Sequence, residues 1–465
     1  MKHTAAFLTI LFSSLILQPH LKAKSSPPTE ASITFEGSIN YPYISHRGGT
    51  AYLQIAISTS DCRPVLRRPM NISVVLDRSG SMADKGKIDY AKSALHNLID
   101  QLRSEDILSI VIYDDVIEVL RPAKRVGNRT KLKRLVDGVY PRGATNLGGG
   151  MIEGFQQVEQ NLDKEYVNRV ILLSDGLANR GIIDTHRLNT IAAKHRSKSI
   201  SMTTMGVGLN YNENLRVGLA ESGGGNYYFI ESPNSLASIM SEEFNTLSSV
   251  LAQNASIELK LGQGVQVIDV IGCNFTTRNN LYIIQVGDLS SNVRRELTVE
   301  VQIPACPVDD SSSRQTRRAG RAGGKGSLFV AEGTLNFDGG DVDVGHVRPF
   351  KVSVNYTKDT AVIEKNRDLD TQAKADVAVS TRIVEQAMNA LDEGREEEAA
   401  KELGSARAII LASPAAASMG AAGKLIREQD AKLEEYSDTL KQNKDDLNKA
   451  KKSIQYGNYK TQKNK

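Results

Sequence analysis

The stretch VVLDRSGSM, residues 74–82, decides how this chain is read. An apolar run, NISVVL at 71–76, stops at Asp77, and two hydroxyls follow at alternate positions, Ser79 and Ser81. A short unbroken apolar run bounded by polar residues is the pattern of a strand buried on both faces. The next segment, KIDYAKSALHNLIDQL at 87–102, places Ile88, Ala91, Leu95, Leu98 and Leu102 on one helical face. Asp77, Ser79 and Ser81 therefore lie in a loop between the carboxyl end of a buried strand and an amphipathic helix.

The same alternation runs outward from this unit. DILSIVIY (106–113) is a second buried strand, with VIEVL (116–120) close behind it as in a hairpin. NLGGGMIEGFQQVEQNL (146–162) is a glycine-rich turn entering a helix, and RVILLSDG (169–176) is a strand with a polar end. A helix near 185–196, a strand at 199–208, a helix near 211–221, the strand NYYFI and a helix near 233–249 complete the series. Buried strands alternating with amphipathic helices predict a parallel sheet covered on both faces. Residues 70–250 are expected to form one doubly wound α/β domain, in which ligands sit outside the carboxyl ends of the strands.

Shorter period-two runs flank this domain. SITFEG and AYLQIAIS precede it, and ASIELKLGQGVQVIDVIG, NLYIIQVGDLS, RRELTVEVQIP, SLFVAEGTLNF and RPFKVSVNYT follow. These predict a β-sandwich, formed by residues 24–69 and 251–365, into which the α/β domain is inserted. Residues 309–327, with almost no apolar side chains, are expected to be a mobile, protease-sensitive loop. From 366 to 465 the pattern is helical, with Gly394 near a turn. The final helix carries Ile426, Leu433, Leu440, Leu447 and Ile454 at seven-residue spacing. Its intermediate positions are largely polar, so packing against the protein's own helices is expected and a monomer favoured over a coiled-coil oligomer.

Composition narrows the function. The chain has 465 residues, 24% of them charged, and a formal net charge of +4, which is no footprint for nucleic acid. Lys2 and His3, the apolar run at 4–17 and the small residue Ala23 have the form of a signal peptide over residues 1–23. The mature protein is then expected to be exported, periplasmic or secreted to the cell surface, with no transmembrane segment. Cys62, Cys273 and Cys306 allow three pairings between which spacing does not choose, or three thiols, and none has zinc-site spacing.

Two further strand-end loops complete a constellation. GATNLGGG (143–150) offers Thr145 just before a helix, and LLSDG (172–176) offers Asp175 just after a strand. If NISVVL and RVILLS are central neighbours, Asp77, Ser79, Ser81, Thr145 and Asp175 meet at one edge of the sheet. Two carboxylates and three hydroxyls form an all-oxygen set suited to a hard cation. Mg²⁺ or Mn²⁺ is favoured over Ca²⁺, which usually takes more carboxylates and carbonyls. A cation held mainly by hydroxyls is under-neutralised and gains by accepting an anionic oxygen from outside. Asp84 and Asp89 are read as a helix start and a solvated face, not as ligands.

This set resembles the metal-ion-dependent adhesion site of von Willebrand factor A domains, in which Asp-x-Ser-x-Ser is followed by a Thr and then by an Asp in an Asp-Gly turn. DRSGS, Thr145 and SDG supply these elements in order. The resemblance covers residues 70–250. It implies a Rossmann-like fold, direct metal contacts from Ser79, Ser81 and Thr145, and contacts from Asp77 and Asp175 made directly or through water. It also implies a Glu or Asp carboxylate of a partner protein as the sixth ligand, and movement of the last helix, about 233–249, on ligand capture. The flanking regions look like those of exported bacterial members of the family and, loosely, of inter-α-trypsin inhibitor heavy chains. The expected function is metal-dependent protein binding, in adhesion or as a scaffold. The alternative is a metal-stabilised structural or regulatory subunit of an envelope complex.

Enzymatic motifs are missing from the sequence. A phosphatase using Asp77 would want a second acid where Ser79 stands. SGS is not the Gly-x-Ser-x-Gly elbow, there is no His-Glu-x-x-His, and no Gly-Lys-Ser/Thr follows the glycines at 148–150. The expectation is that the protein is not an enzyme.

Overall fold

The computed structural model describes residues 32–61, 67–209, 211–279, 281–306, 326–338, 347–442 and 447–463. The signal-peptide region, Cys62 and residues 309–325 lie outside these. The chain opens with β1 (Ile33–Ile39), β2 (Tyr43–Ser45) and β3 (Gly49–Thr59). The α/β domain then runs β4 (Met70–Asp77), α1 (Lys87–Gln101), β5 (Ile107–Tyr113), β6 (Ile117–Arg125), α2 (Arg129–Asp137), α3 (Leu147–Glu159) and β7 (Val167–Ser174). It continues with α4 (Thr185–Arg196), β8 (Ser201–Val207), α5 (Glu213–Gly223), β9 (Gly224–Ile230) and α6 (Leu236–Ser248).

The sheet order is β6-β5-β4-β7-β8-β9, parallel throughout except for the hairpin strand β6. β4 and β7 are adjacent, Leu76 lying opposite Leu173, so Asp77 and Ser174 leave the sheet side by side. Alternate residues of β4 feed two cores. Ile72, Val74 and Leu76 pack with α1 and α6 residues such as Leu95 and Met240, while Val75 packs with Phe155 of α3. The glycines of α3 let that helix approach closely. A Cβ on Gly150 would lie 2.6 Å from the Tyr113 ring, and one on Gly154 would lie 2.3 Å from Val75 Cγ2. Packing thus accounts for glycines in a stretch that could be mistaken for a phosphate loop.

The sandwich resumes with β10 (Val250–Leu261), β11 (Gln266–Ile271), β12 (Phe275–Arg278), β13 (Leu281–Ser290), β14 (Arg294–Ile303), β15 (Ser327–Asp338) and β16 (Phe350–Thr357). Its sheets, β1-β3-β14-β11 and β12-β13-β10-β15-β16-β2, share one core that includes Leu53, Ile55, Ile257 and Val299. The α/β domain enters after β3 and leaves into β10, both at the amino end of its parallel strands.

The helical region comprises α7 (Thr360–Lys365), α8 (Leu369–Asp392), α9 (Glu396–Leu411), α10 (Ala421–Gln442) and α11 (Leu447–Gln462). The expected single final helix is two: Ile426, Leu433 and Leu440 belong to α10, Leu447 and Ile454 to α11. A half-polar seam does not hold one long coiled coil. α10 turns its apolar residues onto α8 and α9, and α11 packs on α8 and α10, as the packing expectation required. α11 also reaches the α/β domain, where Tyr459 joins Tyr211, Tyr227 and Phe229. Among the described residues no helix is long and apolar enough to cross a membrane.

Candidate metal centre

Asp77 is the last residue of β4 and is fully buried. Its Oδ1 accepts the Ser79 amide at 2.7 Å, which turns the chain sharply after the strand. Its Oδ2 accepts the Ser174 hydroxyl at 2.5 Å from the neighbouring strand end. Burial pushes the Asp77 carboxyl above its ordinary range, against these hydrogen bonds, and the adjacent Asp175 adds to the rise. Ser79 and Ser81 point the same way from the loop, their hydroxyls 3.2 Å apart. Ser81 Oγ donates to Asp175 Oδ1 at 2.8 Å across 94 residues of sequence.

Thr145 completes the group. Its amide donates to Asn179 Oδ1 at 2.8 Å, and its carbonyl accepts from the amides of Asn179 and Arg180. This ties its loop to the one that follows Asp175. A Cβ on Gly176 would lie 3.3 Å from Thr145 Oγ1 and 3.6 Å from Ser81 Oγ, so the two hydroxyls flank the space that this glycine leaves empty. The structure therefore brings together all five residues singled out in the sequence. Asp89 lies on the exposed face of α1, as expected. Asp84 does not start that helix: it sits in a preceding short 3₁₀ segment with an extended backbone, and α1 begins at Lys87 after Gly86, which has a φ of +68°.

The donors fit a small octahedral cation. Adjacent ligand oxygens around an ion with bonds of about 2.1 Å lie about 3.0 Å apart. The Ser79–Ser81 and Ser81–Asp175 oxygen pairs, at 3.2 and 2.8 Å, bracket that edge. Among the described residues no group of three or more His, Cys, Asp and Glu is placed to hold a metal. The candidate set differs in kind, two carboxylates with three hydroxyls.

Two buried cations at the site escaped the sequence reading. Lys87 Nζ lies 2.5 Å from Asp175 Oδ2 and 3.4 Å from the Ser81 carbonyl, its side chain only 6% exposed. Arg216, fully buried on α5, donates from Nη2 to Ser174 Oγ at 2.7 Å and to the Gly176 carbonyl at 3.0 Å. Lys87 was visible in principle, for it shares a helical stripe with Ala91 and Ala94, the buried side of α1. A lysine in an apolar stripe needs an acid across from it. Arg216 acts through Ser174 on a different strand, and no spacing announces that.

A third network clamps the loops. Asp114 accepts from Arg78 Nε at 2.8 Å and from Arg142 Nε at 2.7 Å, joining the DRSGS loop to the loop that carries Thr145. Burial raises its carboxyl, but the hydrogen bonds and the two arginine charges outweigh this and hold it below its ordinary range. Around the site, Val116, Tyr140, Leu177 and Ile183 are all more than half exposed on loops at this end of the sheet.

Residues 71–242 match the von Willebrand factor type A domain family. The Escherichia coli protein YfbK is 26% identical over 241 residues, 52% of this chain and 42% of that protein. Human inter-alpha-trypsin inhibitor heavy chain H3 is 24% identical over 221 residues, 44% of this chain and 24% of its own length. The alignments thus cover less than half of each of these relatives. A solved structure of a von Willebrand factor type A protein from Catenulispora acidiphila superposes with a TM-score of 0.65 at 15% identity, over 88% of this chain and 91% of that one. The ArnB paralog VWA2 from Sulfolobus acidocaldarius gives 0.56 at 16% identity, over 94% and 98%. These two share the fold across nearly the whole chain, sandwich and helices included.

Proposed function

Because residues 71–242 are a von Willebrand factor type A domain, we propose that this protein is an exported binding protein that captures an acidic side chain of a partner protein through a divalent cation. Ser79, Ser81 and Thr145 would hold the ion, with Asp77 and Asp175 ligating directly or through water. Mg²⁺ or Mn²⁺ suits the oxygen spacing better than Ca²⁺, whose bonds of about 2.3–2.6 Å need a wider cage. The observation that carries this reading is the convergence of those oxygens at the carboxyl end of the sheet, whose loops also carry exposed apolar residues. Exposed apolar side chains around a polar centre mark a protein-binding surface. Arg142 and Arg180 on the same loops are also exposed and favour an acidic partner. Export rests on the charge and apolar pattern of residues 2–23.

The alternative, a metal that only knits the loops together, is disfavoured by one feature. Ser81–Asp175, Lys87–Asp175 and the Asp114 clamp already join these loops. A cation is left with a ligand to hold rather than a fold to hold. No catalytic step is assigned to the site.

The test is calorimetric titration of Mg²⁺ and Mn²⁺ into metal-free protein, with and without acetate as a surrogate carboxylate. Saturable one-site binding, tightened by acetate and lost in Asp77→Ala, is expected. Absence of binding by the intact chain even with acetate would overturn the reading.

A further inference from the structure

A second site lies at the opposite end of the α/β domain. Where β7 and β9 begin, the α/β domain, strand β13 and the end of α11 enclose a cavity of about 410 Å³, within the range of small-molecule pockets. Its wall carries Arg169, Arg196, Arg294, Arg295 and Lys463 against Glu221, Glu242 and Asp288. Several of these charges are already matched. Arg169 pairs with Asp288 at 2.7 Å, Lys463 with Glu221 at 3.2 Å, and Arg294 with Glu296 at 2.7 Å.

Arg196 is not matched. It ends α4 and is only 6% exposed. Nη1 donates weakly to the Glu221 carbonyl at 3.3 Å, while Nε and Nη2 are buried with no hydrogen-bond partner among the described residues. Those two atoms form the guanidinium edge that receives an oxyanion in a two-point bond. Arg407 uses the same edge on Asp430 elsewhere in this chain, with Nε 2.7 Å from Oδ1. Leaving such donors dry and unpaired costs free energy. Gly224 packs against the flat face of this guanidinium: a Cβ there would lie 2.7 Å from Nε and 3.0 Å from both Cδ and Cζ. Arg295 Nε is likewise buried without a partner. Arg196, Arg295 and Lys463 line the same cavity beside Cys273; burial raises the pKa of that thiol, and the three positive charges lower it.

We propose that this cavity binds a small organic anion, whose carboxylate or phosphate group sits on the Nε–Nη2 edge of Arg196 with Arg295 and Lys463 alongside. Thr246 and Glu242 of α6 line the same space, so the anion would join the last helix of the α/β domain to the sandwich and to α11. This site is independent of the metal centre.

The test uses the full chain in EDTA, which removes any cation-bound anion, with inorganic phosphate and succinate as probes and sodium chloride at equal ionic strength as control. Calorimetry and thermal melting are expected to show saturable binding of one or both probes, with a rise in melting temperature that chloride does not give. Phosphate alone would identify a phosphate ester as the ligand class, and succinate alone a carboxylate. Arg196→Gln should weaken binding at least tenfold and leave the Mg²⁺ titration unchanged. If that variant does not fold, Arg295→Gln, less deeply buried, should show the same direction. Saturating probe should also slow alkylation of Cys273. Failure of both probes to bind saturably, or equal affinity in the folded variants, would overturn the proposal.

Discussion

The two ends of one parallel sheet carry opposite chemistry. At the carboxyl end, loops after β4 and β7 gather Asp77, Asp175 and hydroxyls, with Lys87 and Arg216 as buried counter-charges. At the amino end, Arg169 and Arg196 project toward the sandwich, and both chain connections pass there. The first end remains open to solvent through its loops, while the second is roofed by β13 and α11. The arrangement separates an exposed capture site from an enclosed junction. α6 runs the length of the domain between them, held by the buried Glu243, which accepts hydrogen bonds from Thr203, Asn226 and Tyr228 at 2.6, 2.8 and 2.9 Å.

The sharpest way to break the comparison is Asp77→Asn. Saturable metal binding should disappear at millimolar Mg²⁺ by calorimetry. Burial already disfavours the Asp77 charge, so the metal-free variant should unfold in urea at the same midpoint as the parent or a higher one. Loss of metal binding together with a large loss of stability would mean that the aspartate is a structural residue instead. At the other end the signs reverse. Asp288→Ala strands Arg169, whose side chain is 2% exposed, and removing one partner of a buried ion pair costs about 3–5 kcal/mol. Urea unfolding should show that loss, with metal affinity unchanged.

The carboxyl end was the more legible of the two. The run from Ile72 to Leu76, apolar but for Ser73, ends in Asp77, and the second strand ends in Ser174-Asp175. Strand ends are fixed by local pattern, so the sheet, its parallel order and the convergence of Asp77, Ser79, Ser81, Thr145 and Asp175 could be read in advance. Lys87 and Arg216 could not be assigned roles, because each is defined by an acid or hydroxyl that only the tertiary fold supplies. Helix α2 went unread for a local reason: it is nine residues long, four of them basic, and only Leu132 and Val136 are buried. The amino end was illegible for the same cause as Lys87. Arg169, Arg196, Arg295 and Lys463 are spread over 295 positions (463 − 169 + 1), and no motif links them.

Lys87 refines the comparison from within the metal site. Its ammonium holds Asp175 Oδ2 at 2.5 Å, where it competes with any cation for that carboxylate. Lys87→Met should raise Mg²⁺ affinity about tenfold, roughly 1.4 kcal/mol, a modest share of the several kcal/mol that like charges a few ångströms apart exchange at intermediate dielectric. Unchanged affinity in calorimetry would show that Asp175 reaches the metal only through water.

The smallest effect concerns the start of α11, which docks at the carboxyl end of the sheet, opposite the Lys463 end that lines the cavity. Glu213 of α5 receives Lys451, 2.5 Å away, and Lys452, both from α11. Burial pushes its carboxyl up, yet the charge of Lys452 and the hydrogen bonds from both lysines prevail, and it stays below its ordinary range. A carboxyl with a lower folded than unfolded pKa contributes stability above the unfolded value, about 4.3, and loses it as pH falls through the folded one. Protection of the α11 amides, relative to intrinsic exchange at the same pH, should therefore fall below about pH 4 while β4 and β7 remain protected. In Glu213→Gln the same helix should be looser at neutral pH and should lose most of that acid response. If α11 and β4 opened together as the pH fell, the helical region and the α/β sheet would form one cooperative unit rather than two.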